Sequence, residues 1–253
     1  MVIIKTNKEI EKIKKSCQLT ANTLQYVSEK IKPGMKTIEI DKLAESFILK
    51  HGGKPSFKGY GPEGYEFPAS ACVSVNEEIV HGIPGNKVLQ EGDIVSIDIG
   101  TNLNGYYGDS AVTVGVGKIS KIAEKLIETT KKCLFEGIKK AINGNHIGDI
   151  GFAIQAEAEK NNFSIVREYV GHGVGLEVHE DPQIPNYGKR GTGLKLESGM
   201  VIAIEPMVNQ GTYQTVSDDD GWTVKTADGS LSAHFEHTIA IYKNCNEILT
   251  VSN

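Results

Sequence analysis

Cysteine is sparse in this chain. Its four copies, Cys17, Cys72, Cys133 and Cys245, are too far apart to form a CxxC pair, so the sequence offers neither a zinc knuckle nor a disulfide framework. Positive charge is not in excess either. Lys and Arg number 27 against 32 Asp and Glu, a formal net charge of −5, and nothing in that balance calls for DNA or another polyanion as partner. No apolar run approaches the roughly 20 residues of a membrane helix. Met1 to Ile4 passes directly into a charged helical pattern, with no apolar signal-peptide segment. A cytoplasmic location is therefore expected. What remains is a chain of 253 residues, 39% of them hydrophobic, which can bury a sizeable core.

That chain contains a repeat. Leu89 to Asp98 (LQEGDIVSID) returns at Leu196 to Glu205 (LESGMVIAIE), an offset of 107 positions that superposes Gly92 on Gly199 and Asp98 on Glu205. Asp109 to Val114 (DSAVTV) returns at Glu236 to Ile241 (EHTIAI) with an offset of 127. A carboxylate closes each copy of the first frame and opens each copy of the second. Two similar half-structures thus bring four acidic side chains toward one centre, and like charges do not gather there without a cation. Asn104-Gly105 is a two-residue turn signal that pairs 103 with 106 and 100 with 109. Asp98 and Asp109 then share one strand face as diagonal neighbours, roughly 7 to 8 Å apart at the backbone.

The helical patterns repeat in step. Thr6 and Glu9 have capping-box spacing, and Ile10, Ile13, Cys17, Leu24, Val27 and Ile31 follow at helical intervals up to Pro33-Gly34. Thr37 is placed to cap a second helix, with Ile40, Leu43, Ala44, Phe47 and Ile48 inward and Gly52-Gly53 as its stop. Similar patterns run from about Ser120 to Ile142 and from about Ile147 to Lys160, with Gly34 aligned to Gly144 and Ile40 to Ile150. Cys17 and Cys133 fall on the apolar stripes and belong to the core. Each half reads helix, helix, then antiparallel strands. The expected class is α+β with helices packed on one central antiparallel or mixed sheet, as a single domain over 1–253 with halves at roughly 1–115 and 116–253.

Three histidine motifs lie near the carboxylate frames. GHGVG sets His172 between glycines, where the bare backbone permits close approach to an ion or substrate, and His179 follows in VHEDP; His81 stands in VHGIP. His51 and His146 read as ordinary structural or surface histidines. Four carboxylates with one imidazole form a hard, oxygen-rich set suited to a pair of Mn, Fe, Co or Zn ions, and hydrolysis is the chemistry such a pair supports.

At these residues the chain resembles the type I methionine aminopeptidases. IDIG with Asp98, GDS with Asp109, GHGVG with His172, IEP with Glu205 and FEHT with Glu236 match that family's five-ligand signature, and the similarity runs from about Thr6 to Ile241. The resemblance implies a pseudo-two-fold pita-bread fold, two divalent metal ions, and removal of the initiator methionine when the second residue is small. It also implies roles. Asp98, Asp109, His172, Glu205 and Glu236 would hold the metal, with Asp109 and Glu236 bridging. Glu205 would take the proton of the attacking water, His179 would bond the scissile carbonyl or its oxyanion, and His81 the substrate amide. Tyr60, Phe67, Cys72, His81 and Trp222 match the methionine pocket, while Asn76 and Ser232 resemble positions that hold a monovalent cation in some relatives. The spacing from His179 to Glu205 leaves no room for the insertion of type II enzymes and fits the short bacterial form.

Expected partners are N-termini of nascent polypeptides, met during transient ribosome association by a monomer, with neither DNA nor membrane involved. Three departures from the family pattern bear on pocket shape. Gly61 to Glu66 is longer than usual, Val178 replaces a frequent Phe, and His234 stands where Gln often occurs. Prolidases and proline-specific aminopeptidases share the fold and ligands but resemble this chain less.

Overall fold

Thr6 opens the first helix by the capping box its spacing predicts. In the computed structural model, which describes residues 1–252, the Thr6 amide donates to Glu9 Oε2 at 2.7 Å and Thr6 Oγ1 accepts from the Glu9 amide at 3.3 Å. Such a cap contributes about 1 kcal/mol. Helix α1 (Asn7–Ser28) buries Ile10, Ile13, Cys17, Leu24 and Val27. Helix α2 (Thr37–Lys50) starts differently from the expectation, because Lys36 and not Thr37 occupies the cap position. The Thr37 hydroxyl instead accepts from the Gly85 amide at 2.8 Å and reaches the Gly85 carbonyl at 3.2 Å. A tertiary partner has claimed the group that local spacing assigned to the helix.

Helices α3 (Lys121–Ile138) and α4 (Ile147–Lys160) form the second pair. α3 ends short of Ile142, since the Asn246 side chain donates to the carbonyls of Ile138 at 2.6 Å and Ala141 at 3.0 Å and so satisfies groups that a longer helix would use. Both Cys17 and Cys133 are fully buried.

The repeat is visible in the hydrogen bonds. Gly34 donates to Leu89 and Gly144 to Leu196, each at 2.8 Å; Thr37 donates to Lys87 and Ile147 to Leu194, each at 3.0 Å. Gly34 and Gly144 have φ of 86° and 96°, so both turns need the left-handed conformation glycine adopts without penalty. In each half, then, the start of the second helix is tied to the segment that leads into the carboxylate strand.

In the first half, strands Ile94–Leu103 and Tyr106–Gly115 form a hairpin about Asn104 and Gly105, with positive φ at both turn residues, Leu103 opposite Tyr106 and Gly100 opposite Asp109. In the second half, Val201–Ile204 pairs with His237–Ile241. Every strand pairing among the described residues is antiparallel. The central layer is not one continuous ladder but two sheets joined at a seam. There the Glu236 amide donates to the Ala111 carbonyl at 2.9 Å, Ser110 Oγ to the Glu236 carbonyl at 2.7 Å, and Thr238 Oγ1 to the Asp109 carbonyl at 2.7 Å. One apolar cluster packs α1 and α2 on the first sheet and another packs α3 and α4 on the second. No helix among the described residues is long and apolar enough to cross a membrane.

Candidate metal centre and adjoining pocket

The seam carries the acids. Asp109 and Glu236 face each other across it, and Asp98 lies two positions from the Gly100 partner of Asp109, so the three carboxylates present ligand atoms within 4.8 Å of one another. His172, Glu205 and Glu236 form a second such group, and Asp109, His172 and His179 a third. Asp98 Oδ1, Asp109 Oδ1 and Glu236 Oε1 are buried without a hydrogen-bond partner. A carboxylate oxygen so placed carries a desolvation cost that a cation removes.

Electrostatics says the same. Enclosure by protein, then mutual repulsion, pushes Asp109 and Glu236 well above the usual carboxylate range. Asp98 is pushed up to about 7 by enclosure, with the charge of Glu205 adding to it, and Glu205 to about 8 by enclosure. Four acids at this spacing ionise together only around a compensating charge. The histidines move the other way: desolvation takes His172 down to about 3, and His179 and His81 to about 4. All three are neutral near pH 7.

His172 is oriented as a ligand should be. Its Nδ1 lies 2.9 Å from the Gly173 carbonyl, a contact that assigns the proton to Nδ1 and frees the Nε2 lone pair. Nε2 is 3.6 Å from Glu205 Oε1 and 3.9 Å from Asp109 Oδ2. The flanking glycines have a different cause from the expected one. A Cβ at Gly171 would meet the Ala203 carbonyl at 2.4 Å and one at Gly173 the Asp181 carbonyl at 2.2 Å, so they admit neighbouring backbone rather than an ion.

The carboxylates open onto a cavity of about 460 Å³. Tyr60, Phe67, Cys72, His81, His179 and Trp222 all line it. Phe67 and Trp222 meet edge to face with centroids 5.3 Å apart, and Tyr60 lies 4.8 Å from His179. His81 is held at φ 59°, with its ring edge-on to Tyr169 at 5.7 Å. That backbone conformation costs about 1 kcal/mol or more for a residue with a side chain. Phe57, Val80, Tyr169 and Gln183 also line the cavity, as do Glu180 and Asp181 beside His179; the first four had no signature in the sequence, although Tyr169 stands two positions before the GHGVG motif.

The departures fall as follows. Val178 is buried against Phe57, Phe67 and Cys72 behind the wall and does not line the cavity. Gly61 turns the longer loop onto the Trp222 ring, where a Cβ would lie 3.1 Å from it. His234 is buried, with Nε2 3.6 Å from Glu205 Oε2. Asn76 and Ser232 are brought together away from the cavity by an amide bond of 2.9 Å from Ser232 to the Asn76 carbonyl. The Asn76 side chain is already engaged with Asp93 at 2.8 Å and the Ile94 amide at 3.0 Å. Of the histidines read as structural, His51 stacks on Phe47, with Nδ1 2.8 Å from the Phe47 carbonyl.

The model of metallopeptidase family M24 matches residues 11–243. The chain belongs to family M24. Among M24 relatives, it is 53% identical over 251 residues to the methionine aminopeptidase of Clostridium perfringens, covering 99% of both chains. It is 52% identical over 250 residues to methionine aminopeptidase 1 of Bacillus subtilis, again covering 99% of both. Its fold superposes on the crystal structure of methionine aminopeptidase from Rickettsia prowazekii with a TM-score of 0.96, at 43% identity and covering 99% of this chain and 100% of that one. The M24 pita-bread fold accounts for the two pseudo-symmetric halves, and metallopeptidase chemistry for the acidic centre.

Proposed function

We propose that this chain removes the N-terminal methionine from polypeptides whose second residue is small, using a pair of divalent ions, Co, Mn, Fe or Zn. The observation that carries the reading is one cavity with two unlike kinds of lining: unpartnered carboxylate oxygens, and an aromatic and thiol wall. The names of the M24 relatives support it.

In this reading Asp98, Asp109, His172, Glu205 and Glu236 would hold the ions, with Asp109 and Glu236 the carboxylates that meet at the seam. When bound, the ions supply a water that ionises near neutral pH and a Lewis acid for the scissile carbonyl. Glu205 takes the proton of the attacking water and returns it to the leaving amine. His179, neutral at pH 7, donates a hydrogen bond to the developing oxyanion, and His81 contacts the scissile amide. Tyr60, Phe67, Cys72 and Trp222 enclose the methionine side chain, whose polarisable thioether suits aromatic and thiol surfaces. The chain acts as one catalytic domain, 1–253, made of the two halves, and as a monomer. It works in the cytoplasm on nascent N-termini during transient ribosome visits. A monovalent cation at Asn76 and Ser232 would be held mainly by backbone carbonyls, since the Asn76 amide is engaged.

The test is a peptide series Met-X-Ser, with Leu-Ala-Ser and Ala-Pro-Ser as controls, on protein reconstituted with each metal. Cleavage should be efficient for X of Gly, Ala, Ser, Thr, Cys, Pro or Val and poor for Leu, Lys, Arg or Phe, with the discrimination in kcat/KM. Faster cleavage of Ala-Pro-Ser than of Met-Ala-Ser would replace this reading with a proline-directed one.

A further inference from the structure

Lys5 is a buried lysine that the mechanism above does not use. It lies outside helix α1, and its side chain, only 1% exposed, makes an ion pair with Glu180, itself 3% exposed. The second Glu180 oxygen accepts the amides of Leu176 at 2.6 Å and Glu177 at 3.0 Å. Glu180 thereby closes the loop that carries Val178 and His179, and Lys5 neutralises the charge that does the closing. The backbone around Lys5 is fixed as well. Its amide donates to the Gly199 carbonyl at 2.8 Å. A Cβ on Gly199 would strike Ile4 at 2.6 Å, and one on Gly175 would strike Ile13 at 2.5 Å. Lys5 is thus held between the entrance to the Glu205 strand and the His179 loop, where a Cβ on Gly175 would also lie 3.4 Å from its Cε. The exposed pair of the Met1 ammonium with Asp181 adds little to this.

We propose that Lys5 is a positioning residue: through Glu180 it fixes the His179 loop so that the imidazole meets the scissile oxygen. This rests on the role given to His179 above. A buried ion pair is weak evidence for stability, because two charges must leave water to form it. Its geometric effect is clear, since both Glu180 oxygens are engaged in directions that set the loop. Displacement of a catalytic group by about 1 Å costs about 100-fold in rate, and the loss should fall on kcat because the contact is with the transition state.

The experiment is a double-mutant cycle on metal-loaded enzyme with Met-Ala-Ser: wild type, Lys5→Met, His179→Ala and the two combined, with metal content measured for each. Lys5→Met should lower kcat about 100-fold with KM and metal content held, and should cost less than about twofold when added to His179→Ala. Lys5→Met leaves Glu180 uncompensated and can impair folding, so Lys5→Met/Glu180→Gln, which buries no charge, is measured in parallel and should show the same loss of kcat. Equal costs of Lys5→Met with and without His179 would overturn the proposal, as would a neutral pair variant with wild-type kcat or with metal lost. A wild-type enzyme inactive on Met-Ala-Ser would refute the functional reading itself, a separate outcome from an additive cycle.

Discussion

The two halves of this protein are built on one frame and differ in what they hang from it. Leu89 and Leu196 accept equivalent glycine amides, Gly92 and Gly199 have φ of 99° and 95°, and Asp98 and Glu205 stand at equivalent positions, Asp98 within Ile94–Leu103 and Glu205 just past Val201–Ile204. The first half then turns back at once through Asn104-Gly105. The second makes a long excursion between Ile204 and His237, and this excursion brings Trp222 to the cavity. A further asymmetry lies one strand away. Val75 pairs with Val95 and Gly173 with Ile202, and Val95 and Ile202 are equivalent at the 107 offset, so His172 answers to Ser74. Ser74 Oγ merely accepts the Gly82 amide at 3.1 Å. Duplication thus accounts for the scaffold and the carboxylates, and divergence for the imidazole and much of the pocket.

Equivalent carboxylates should therefore behave differently when altered. On the proposed role of Glu205 as base, Glu205→Gln should lower kcat of the metal-loaded enzyme about 100- to 10,000-fold with substrate binding largely kept. Asp98→Asn, its counterpart, should act first on metal affinity. Steady-state kinetics beside elemental analysis separates the two, and near-wild-type kcat in metal-loaded Glu205→Gln would break the distinction. The scaffold positions should respond alike. Leu89 and Leu196 are both fully buried, so replacing either by Ala should cost about 2–5 kcal/mol, read by denaturant unfolding; a large difference between the two would show that the halves do not share the load.

A smaller effect concerns pH. In metal-free protein the raised carboxylates keep protons that the unfolded chain releases, so they make stability fall as pH rises, while the lowered His81 and His172 make it rise up to about 6.5. Above 6.5 only the carboxylates act. Stability of metal-free protein should drop between about pH 6.5 and 8, by up to about 1.4 kcal/mol per pH unit for each group titrating, and metal should flatten the slope. Thermal melts at several pH values with and without chelator test this; a metal-free Tm that climbs from pH 7 to 8 contradicts it. Smallest is Gly105→Ala. Its φ of 84° should make the change cost about 1 kcal/mol, and the equivalent strand pair of the second half, Val201–Ile204 with His237–Ile241, has no two-residue turn to weaken in the same way.

How much of this was legible follows from chain distance. The frames, the turn at Asn104-Gly105 and the Thr6 cap are local patterns, and residue spacing alone predicted the pairing of Gly100 with Asp109. The Thr37 hydroxyl left its helix for Gly85, and α3 stopped early because Asn246 caps it from far along the chain. The Lys5 to Glu180 pair and the Phe57 and Tyr169 walls join segments with no shared period, and at the Thr238 seam the repeat marks the two segments but not the hydrogen bonds between them. Nothing in a linear sequence marks such partners, since each is selected by the finished fold. The family motifs filled part of that gap by naming ligands and pocket residues, but not the groups that support them.

The central claim is that both halves supply one metal centre, and metal stoichiometry tests it most directly. Purified wild-type protein titrated with Mn or Co should bind about two ions per chain, with Met-Ala-Ser hydrolysis rising with occupancy. Asp109→Asn/Glu236→Gln removes one seam carboxylate from each half and should retain neither ion nor activity. Full metal content and turnover in that double variant would contradict the account.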